Sequence, residues 1–481
     1  MTATRIDIEP EEPDAESRTS ALISIRRYLE WMARYWYIVL PAIFLAAALP
    51  ALGARPYRFE EGRRVAQVIA FLDGGSWLRL EIFGDAYANK PPLLPWLITL
   101  AAKAFGQVNE FAARLPGAMA IAVSALTAGF MASRASERRP YIAALASGIF
   151  LLAAPVVFQR IRLAETDSMA TACVSAAFLV WAVGRLRHDG DLRFLSWCGV
   201  AFFLGAALMT KGPPPVLFAL VPMVIIPLQE RRWGQFSALV LALVVGSLPM
   251  ASWLYANMDF ATAAHLSSEM RLQPAGLPDV RSYFRKLPET LAAGLLQFFP
   301  CVIFGVIWMS EKSSWRRGSN WVDHALFLFA VPASVALLFW PSSEGRYIMP
   351  AVWPLSVMAG LLFARHWERK SAPALLGATL MMFVVVQTIY VAREGRTPGQ
   401  AAERQMADAL AAAAAPLPEG RIVIWGDQVK PNYNLYVYMH RNATLVTGAT
   451  LGCVPGSSYL LADDNRAGLI DPKTWSKLTA I

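Results

Sequence analysis

The chain has 481 residues, of which 56% are hydrophobic and 16% charged, against roughly 25% charged in an ordinary globular protein. Apolar runs of the ~20 residues needed to cross about 30 Å of hydrocarbon recur from Tyr37 to Val391, which excludes a soluble core. The net charge of +9 is scattered in short clusters between those runs, the positive-inside pattern of a membrane protein and not the single basic stripe of a nucleic-acid binder.

In chain order, the first 20 residues are acidic and polar (RIDIEPEEPDAESR), the opposite of a signal peptide's basic start, and are expected to be disordered within a cytoplasmic tail over residues 1–35. Arg26, Arg27 and Arg34 flank the first apolar run, which should therefore leave the cytoplasm. An external loop is expected over 55–113. Within it, 91–105 (PPLLPWLITLAAKAF) is apolar but short, opens on prolines and carries Lys103. It reads as an interfacial or re-entrant helix, with a true span as the alternative. Further helices are expected near 114–132, 141–160, 168–186, 195–210, 213–229, 235–256, 290–309, 323–341, 347–365 and 372–391. With the first, near 37–54, the chain is an α-helical polytopic membrane protein of about eleven transmembrane helices. The basic loops at 134–139, 185–193, 230–233, 311–317 and 365–370 then all fall on the cytoplasmic side, and their agreement sets the orientation.

From 392 the composition changes. An Ala-rich helix, a β-like run at 421–425 (RIVIW), a Tyr-rich segment (NYNLYVYM) and alternating runs near 443–447 and 458–462 predict a small extracytoplasmic α/β domain over 392–481. Cys173, Cys198, Cys301 and Cys453 lack metal-ligand spacing, and a disulfide framework is not expected.

Charge at membrane depth is expensive and tends to mark a site or pathway. The external side gathers Glu60, Glu61, Arg63 and Arg64 (RFEEGRR), Lys90 (NKPP), Arg160, Arg162, Glu165 and Asp167 (QRIRLAETDS), Lys211 (TKGPPP) and Arg346 (SSEGRYIMP). Each has a plainer reading: Glu60 in a solvated loop, Lys90 snorkelling to the interface, Asp167 capping a helix, Arg346 as an interface anchor. Together, basic residues collect there against the positive-inside bias and beside carboxylates, which suits an anionic ligand. Transfer from a phosphate-linked donor needs a carboxylate to take the acceptor's proton and cations to stabilise the departing phosphate.

In order and spacing these residues resemble the membrane-embedded GT-C glycosyltransferases, close to the lipid A aminoarabinose transferases and protein O-mannosyltransferases. The resemblance covers roughly 36–391. It rests on EEGRR at 60–64, GSW at 75–77, KPPLLPW at 90–96, Arg114, Leu115 and Pro116, Asp167 opening a helix, TKGP at 210–213 and RYIMP at 346–350. It implies an inverting glycosyltransferase using a polyprenyl-phosphate sugar at the external face of a bacterial inner membrane, with lipid A or another glycolipid or glycan as acceptor. It implies Glu60 as general base, Glu61 as its acidic neighbour paired with a cation, and Asp167 as a second acidic site residue. Lys90 would meet the donor phosphate, with Arg63, Lys211 and Arg346 as supporting cations. Where the family tends to have Asp, this chain has Glu60, so Glu61 or Asp167 are alternatives for the base. Asn89 stands where some aminoarabinose transferases carry Glu, which leaves the sugar open. No cofactor or metal is required, though a divalent ion is compatible. The competing readings are transfer to a protein acceptor, a non-catalytic lipid-sugar binder and a secondary transporter, but no internal repeat of the transporter kind is visible.

Overall fold

The computed structural model describes residues 15–58, 60–82, 85–87, 90–188, 190–257, 294–312, 320–338 and 345–394. It also describes 421–425, 443–446, 458–461 and the single residues 288, 292 and 437. The Ala-rich stretch after 400, most of 257–289, Asn89, Cys453 and the Tyr-rich segment apart from Val437 lie outside the described residues.

Helices α1 (Ala15–Arg34) and α2 (Trp36–Ala48) open the described chain, followed by α3 (Glu61–Leu72), α4 (Leu93–Phe105), α5 (Glu110–Ala135), α6 (Pro140–Ala153) and α7 (Pro155–Arg160). Next come α8 (Thr166–Arg187), α9 (Phe194–Lys211), α10 (Pro213–Gln229) and α11 (Trp233–Ala256). The last are α12 (Cys301–Lys312), α13 (Trp321–Ala330), α14 (Pro332–Leu338), α15 (Val352–Arg365) and α16 (Ser371–Glu394). Two-residue strands β1 (Glu81–Ile82) and β2 (Asp85–Ala86) pair antiparallel in the first loop.

Every expected apolar segment contains a described helix, and among the described residues 6 helices are long and apolar enough to cross a membrane, or 7 if α1 and α2 form one bent span. The others are shorter or interrupted, for a local reason. Proline removes a backbone donor and pushes the residue before it away from helical geometry. Thus the segment expected as one helix over 141–160 breaks at Ala154, extended at ψ 127°, before Pro155. The 323–341 segment only bends before Pro332, because Val331 between α13 and α14 keeps helical angles, φ -96° and ψ -57°. The 37–54 segment passes at Pro50 into a 3-10 turn, Leu49–Ala51.

One expectation is corrected. The N-terminal tail is helical from Ala15, and α1 meets α2 at 102°. Leu29, Met32 and Ala33 are buried, the three-to-four spacing of one helical stripe, while Arg26 and Trp367 pin the helix through Glu368 (2.7 Å) and Glu30 (2.8 Å) respectively. α4, the ambiguous apolar segment, has 13 residues, about 20 Å at 1.5 Å per residue, and packs on α3 and α5. Its Lys103 lies 5.0 Å from the centre of the Trp77 ring, a cation–π contact.

At the centre of the bundle Phe178 of α8, Phe329 of α13 and Trp353 of α15 form a ring cluster with centroids 5.2–5.7 Å apart. The Trp353 indole donates to Thr127 Oγ1 of α5 at 3.0 Å. Without a hydrophobic drive between helices in lipid, close approach depends on small residues. Gly360 of α15 is such a point: a Cβ there would sit 2.5 Å from the Ala143 carbonyl of α6 and collide with the Ser147 hydroxyl. Gly360→Ala is therefore expected to cost ~1–3 kcal/mol by overpacking, read as a lower melting temperature in detergent. An unchanged melt would mean that these helices do not touch as described.

The basic loops gather at one end. Arg139 and Arg26 both pair with Glu368, Arg185 with Glu230, and Arg365 with Glu311. Cys173, Cys198 and Cys301 are free thiols. Beyond the bundle, the runs expected near 421–425, 443–447 and 458–462 are strands β3 (Arg421–Trp425), β4 (Ala443–Val446) and β5 (Ser458–Leu461). They form a parallel sheet in the order β4-β3-β5.

Candidate functional site

The end opposite the basic loops is built around Glu61. This carboxylate is fully buried and accepts from Arg114 Nε (2.8 Å) and Nη2 (3.0 Å), from the Ala164 amide (2.9 Å) and from the Arg58 amide (2.9 Å). A carboxylate offers about four lone-pair positions, so Glu61 is saturated. Arg114 in turn donates to the carbonyls of Leu52 (2.9 Å), Arg55 (2.9 Å) and Pro56 (3.0 Å). One ion pair thus ties together the start of the first loop, α3, α5 and the turn before α8. A carboxylate held this way positions its neighbours and has no open site for a substrate proton.

Glu60, one residue earlier, is half-buried, and its Oε2 meets Arg63 at 2.7 Å. Its Oε1 accepts no hydrogen bond among the described residues. Arg63 and Arg64 both approach the Tyr87 ring, at 5.8 and 5.9 Å from its centre, and Arg64 Nη1 donates to the Tyr87 hydroxyl at 3.3 Å. The loop between α3 and α4 is pinned by Trp77, whose carbonyl accepts from the Trp96 indole (2.8 Å) and whose ring stacks on Phe71. The prolines at 91, 92 and 95 start α4, where a missing amide donor is harmless. They fix Lys90 at its approach.

Asp167 lies in the first turn of α8, where the helix dipole favours a negative charge, and its Oδ1 pairs with Lys211 at the end of α9. Glu165, not Asp167, is the residue preceding the helix. Lys211 also sits 4.3 Å from the centre of the Tyr347 ring, and Gly212, at φ 79°, turns the chain sharply into α10. Glu165 pairs with Arg160 and, at 3.6 Å, with Arg346. Burial pushes the Glu165 carboxyl above its ordinary value, opposed by the nearby Arg160.

Lys90, Asp167 and Lys211 line one cavity of about 140 Å3 with Pro214, Pro215 and Tyr347. Burial, reinforced by Arg64 and Lys211, brings the Lys90 ammonium down to about 8. Of the residues expected from sequence, the structure brings these three to the cavity and places Arg346 beside it through Glu165. Glu60 and Arg63 form their own pair outside the lining, and Glu61 is sealed behind it. Sequence reasoning did not assign roles to Arg64, Arg114, Tyr87 and Tyr347. The signal for Arg114 was present, because a lone arginine opening an apolar span needs a buried carboxylate. Arg63, Arg64, Lys90, Arg160, Lys211 and Arg346 share this region with Glu60, Glu165 and Asp167. Cations outnumber carboxylates. No described group of three or more His, Cys, Asp or Glu side chains is placed to hold a metal ion.

The architecture matches solved membrane transferases. ArnT from Cupriavidus metallidurans superposes with a TM-score of 0.66 in its apo state, at 17% identity over 86% of each chain. The same protein bound to undecaprenyl phosphate superposes at 0.64 and 18%, again over 86% of each. The chain has the GT-C fold. An oligosaccharyltransferase of Archaeoglobus fulgidus shares this GT-C arrangement more distantly, with a TM-score of 0.54, 14% identity, and coverage of 84% of this chain and 62% of that one. Residues 89–255 match the family described as dolichyl-phosphate-mannose-protein mannosyltransferase. Among curated sequences, the undecaprenyl phosphate-alpha-4-amino-4-deoxy-L-arabinose arabinosyl transferase 2 of Pseudomonas fluorescens is 25% identical over 75% of this chain and 66% of its own length. The corresponding Pseudomonas aeruginosa transferase is 26% identical over 72% of this chain and 62% of its own. The chain thus aligns with somewhat less than two thirds of these relatives. It resembles the GT-C glycosyltransferases of the aminoarabinose transferase and protein mannosyltransferase kind in both sequence and fold.

Proposed function

We propose that this chain is an inverting glycosyltransferase that moves a sugar from a polyprenyl-phosphate donor to an envelope acceptor, lipid A or another glycolipid or glycan in the first instance. The observation that carries it is the cavity holding Lys90 and Lys211 beside Asp167, with Arg64 and Arg346 close by. Excess positive charge in a partly desolvated site is suited to a lipid-linked phosphate and to the charge it gains on leaving. The likeness to a protein bound to undecaprenyl phosphate supports the same donor class. In this reading the chain crosses an inner membrane about eleven times. Its N-terminus and basic loops are cytoplasmic, and the cavity is extracytoplasmic with a small α/β domain at 392–481.

The acceptor hydroxyl gives its proton to Glu60 as its oxygen bonds to C1 of the sugar. The bond from C1 to the phosphate oxygen breaks on the opposite face, inverting C1 and releasing polyprenyl phosphate. Glu60 suits the base because one of its oxygens is open, whereas Glu61 is saturated. Lys90 takes up charge on the phosphate, supported by Lys211 and Arg346, with Arg63 orienting Glu60. Asp167 holds Lys211 in the cavity. Membrane lipids and the donor's polyprenyl chain are the remaining partners.

Purified protein in nanodiscs with polyprenyl-phosphate sugars should release polyprenyl phosphate. Glu60→Gln is expected to reduce that release by on the order of a hundredfold, the size of losing an acid/base group, and Asp167→Asn by a similar factor by loosening Lys211, comparable to losing one preorganised charge-stabilising donor. No release from any donor, together with specific solute uptake into liposomes, would replace the reading with a transporter.

A further inference from the structure

At the basic end of the bundle three elements meet on one carboxylate. Glu368, in the turn between α15 and α16, pairs through one oxygen with Arg26 of α1 at 2.7 Å and through the other with Arg139, which precedes α6. Glu30 joins the same junction, accepting from Arg26 Nε at 3.0 Å and from the Trp367 indole at 2.8 Å. Ile25 lies against Gly377 of α16, its Cγ2 3.3 Å from where a Cβ would stand. These contacts fix α1 against α6 and α16.

Each of the paired residues has a cationic neighbour in the chain that is not paired. Arg27 follows Arg26, Arg138 precedes Arg139, and Arg369 and Lys370 follow Glu368. All four side chains are exposed and make no ion pair or hydrogen bond among the described residues. The junction thus gathers Arg26, Arg27, Arg138, Arg139, Arg369 and Lys370 against the carboxylates of Glu30, Glu137 and Glu368. Both oxygens of Glu368 are taken by the two arginines that tie the helices together, so the other four cations hold nothing in the fold. Like charges gathered at one junction repel one another, and an anion among them removes that cost. The flanks are those of a membrane boundary. Tyr28, beside Arg27, is 64% exposed, and Tyr141, two residues after Arg139, is 56% exposed. Such rings sit where acyl tails give way to headgroups.

We propose that the junction of α1 with the turns before α6 and α16 binds the headgroup of an anionic phospholipid from the leaflet bordering this end of the bundle. A phosphate diester supplies the acceptor oxygens that Glu368 has no more of, and arginine can meet it with two N–H groups at once. Basic clusters between membrane helices suit anionic headgroups for this reason, and the exposed tyrosines border the acyl chains. One bound lipid bridges α1 to both turns.

The test uses the full chain, stripped of lipid in detergent, and native mass spectrometry with phosphatidylglycerol and phosphatidylcholine of equal acyl chains. The wild type is expected to bind phosphatidylglycerol about tenfold more tightly or better. Each of Arg27→Gln, Arg138→Gln, Arg369→Gln and Lys370→Gln should weaken that binding about fivefold, the share of one basic side chain beside an anionic lipid. The variant carrying all four changes should lose the preference. These variants should melt like the wild type, because surface changes that break no contact are nearly neutral. Arg187→Gln is the control: it removes one exposed, unpaired cation outside the junction and should leave the preference intact. Equal affinity for the two lipids, a preference that survives all four changes, or an equal loss in Arg187→Gln overturns the proposal. So does displacement of the lipid by equimolar glycerol phosphate, which would make the junction a site for a soluble anion. No sugar donor enters these measurements, so their outcome is independent of the transferase reading.

Discussion

Arg114→Ala should collapse the site end of the bundle. The variant leaves Glu61 buried as an uncompensated anion and takes donors from three carbonyls at once, those of Leu52, Arg55 and Pro56. Breaking a buried pair by removing one partner costs about 3–5 kcal/mol, a large fraction of the roughly 5–15 kcal/mol that holds an ordinary domain. The expected readout is loss of a cooperative melt in detergent and new proteolytic cleavage near 55–60. Charge removal on both sides is a sharper probe. Arg114→Met with Glu61→Gln should recover part of the melting temperature, since neither change then strands a charge. If Arg114→Ala melted like the wild type, the first loop would have to be held by something other than this pair.

Donor affinity is expected to fall as pH rises through about 8, because that is where burial and the neighbouring Arg64 and Lys211 place the Lys90 ammonium. The sign follows from the charge: below that pH Lys90 is a cation that attracts the donor phosphate, and above it the amine is neutral. Asp167 and Arg346 also act on Lys90, the carboxylate favouring its charge and the guanidinium opposing it. A bound phosphate adds a further anion, so the midpoint should move upward when donor is present. Lys90→Ala should lose on the order of 10²–10³ in turnover, comparable to removing one preorganised charge-stabilising donor. Lys90→Arg keeps a permanent charge and should flatten the profile. Polyprenyl phosphate affinity measured from pH ~6 to ~9.5 decides it: a wild-type curve without a fall around pH 8 means Lys90 does not supply the charge.

Hydropathy made the helical segments legible because it reports transfer from water to lipid, a property of about 20 residues together. It is insensitive to single prolines, so it missed the break at Ala154 and the early end of α2 at Ala48. It missed α1 for a different reason. Leu29, Met32 and Ala33 form a narrow stripe within a polar segment whose acidic start dominates its composition. At the site, charge out of place pointed to Lys90, Asp167 and Lys211, which share one cavity. The same criterion could not separate Glu60 from Glu61, adjacent in sequence but one open and one saturated. That difference depends on Arg114 and on the amide of Ala164, which only the folded chain brings to Glu61. The strands at 421–425, 443–446 and 458–461 were visible as short β-rich runs, but their parallel order needed the structure.

The shortness of α2 has a consequence for the surrounding bilayer. Its 13 residues and the three-residue turn after it reach about 25 Å, against about 30 Å of hydrocarbon. At the bend of 102° between α1 and α2, Tyr28 and Trp31 of α1 and Tyr35 between the two helices are exposed, as aromatic anchors are at a headgroup boundary. Lipid meeting such a wall compresses to match it. The thinning is expected on the α2 side alone, since the neighbouring α16 has 24 residues, about 36 Å. Bilayer thickness becomes a control variable: turnover should be higher in short-chain than in long-chain membranes, and cells that lengthen their acyl chains would slow this protein without altering a residue of it.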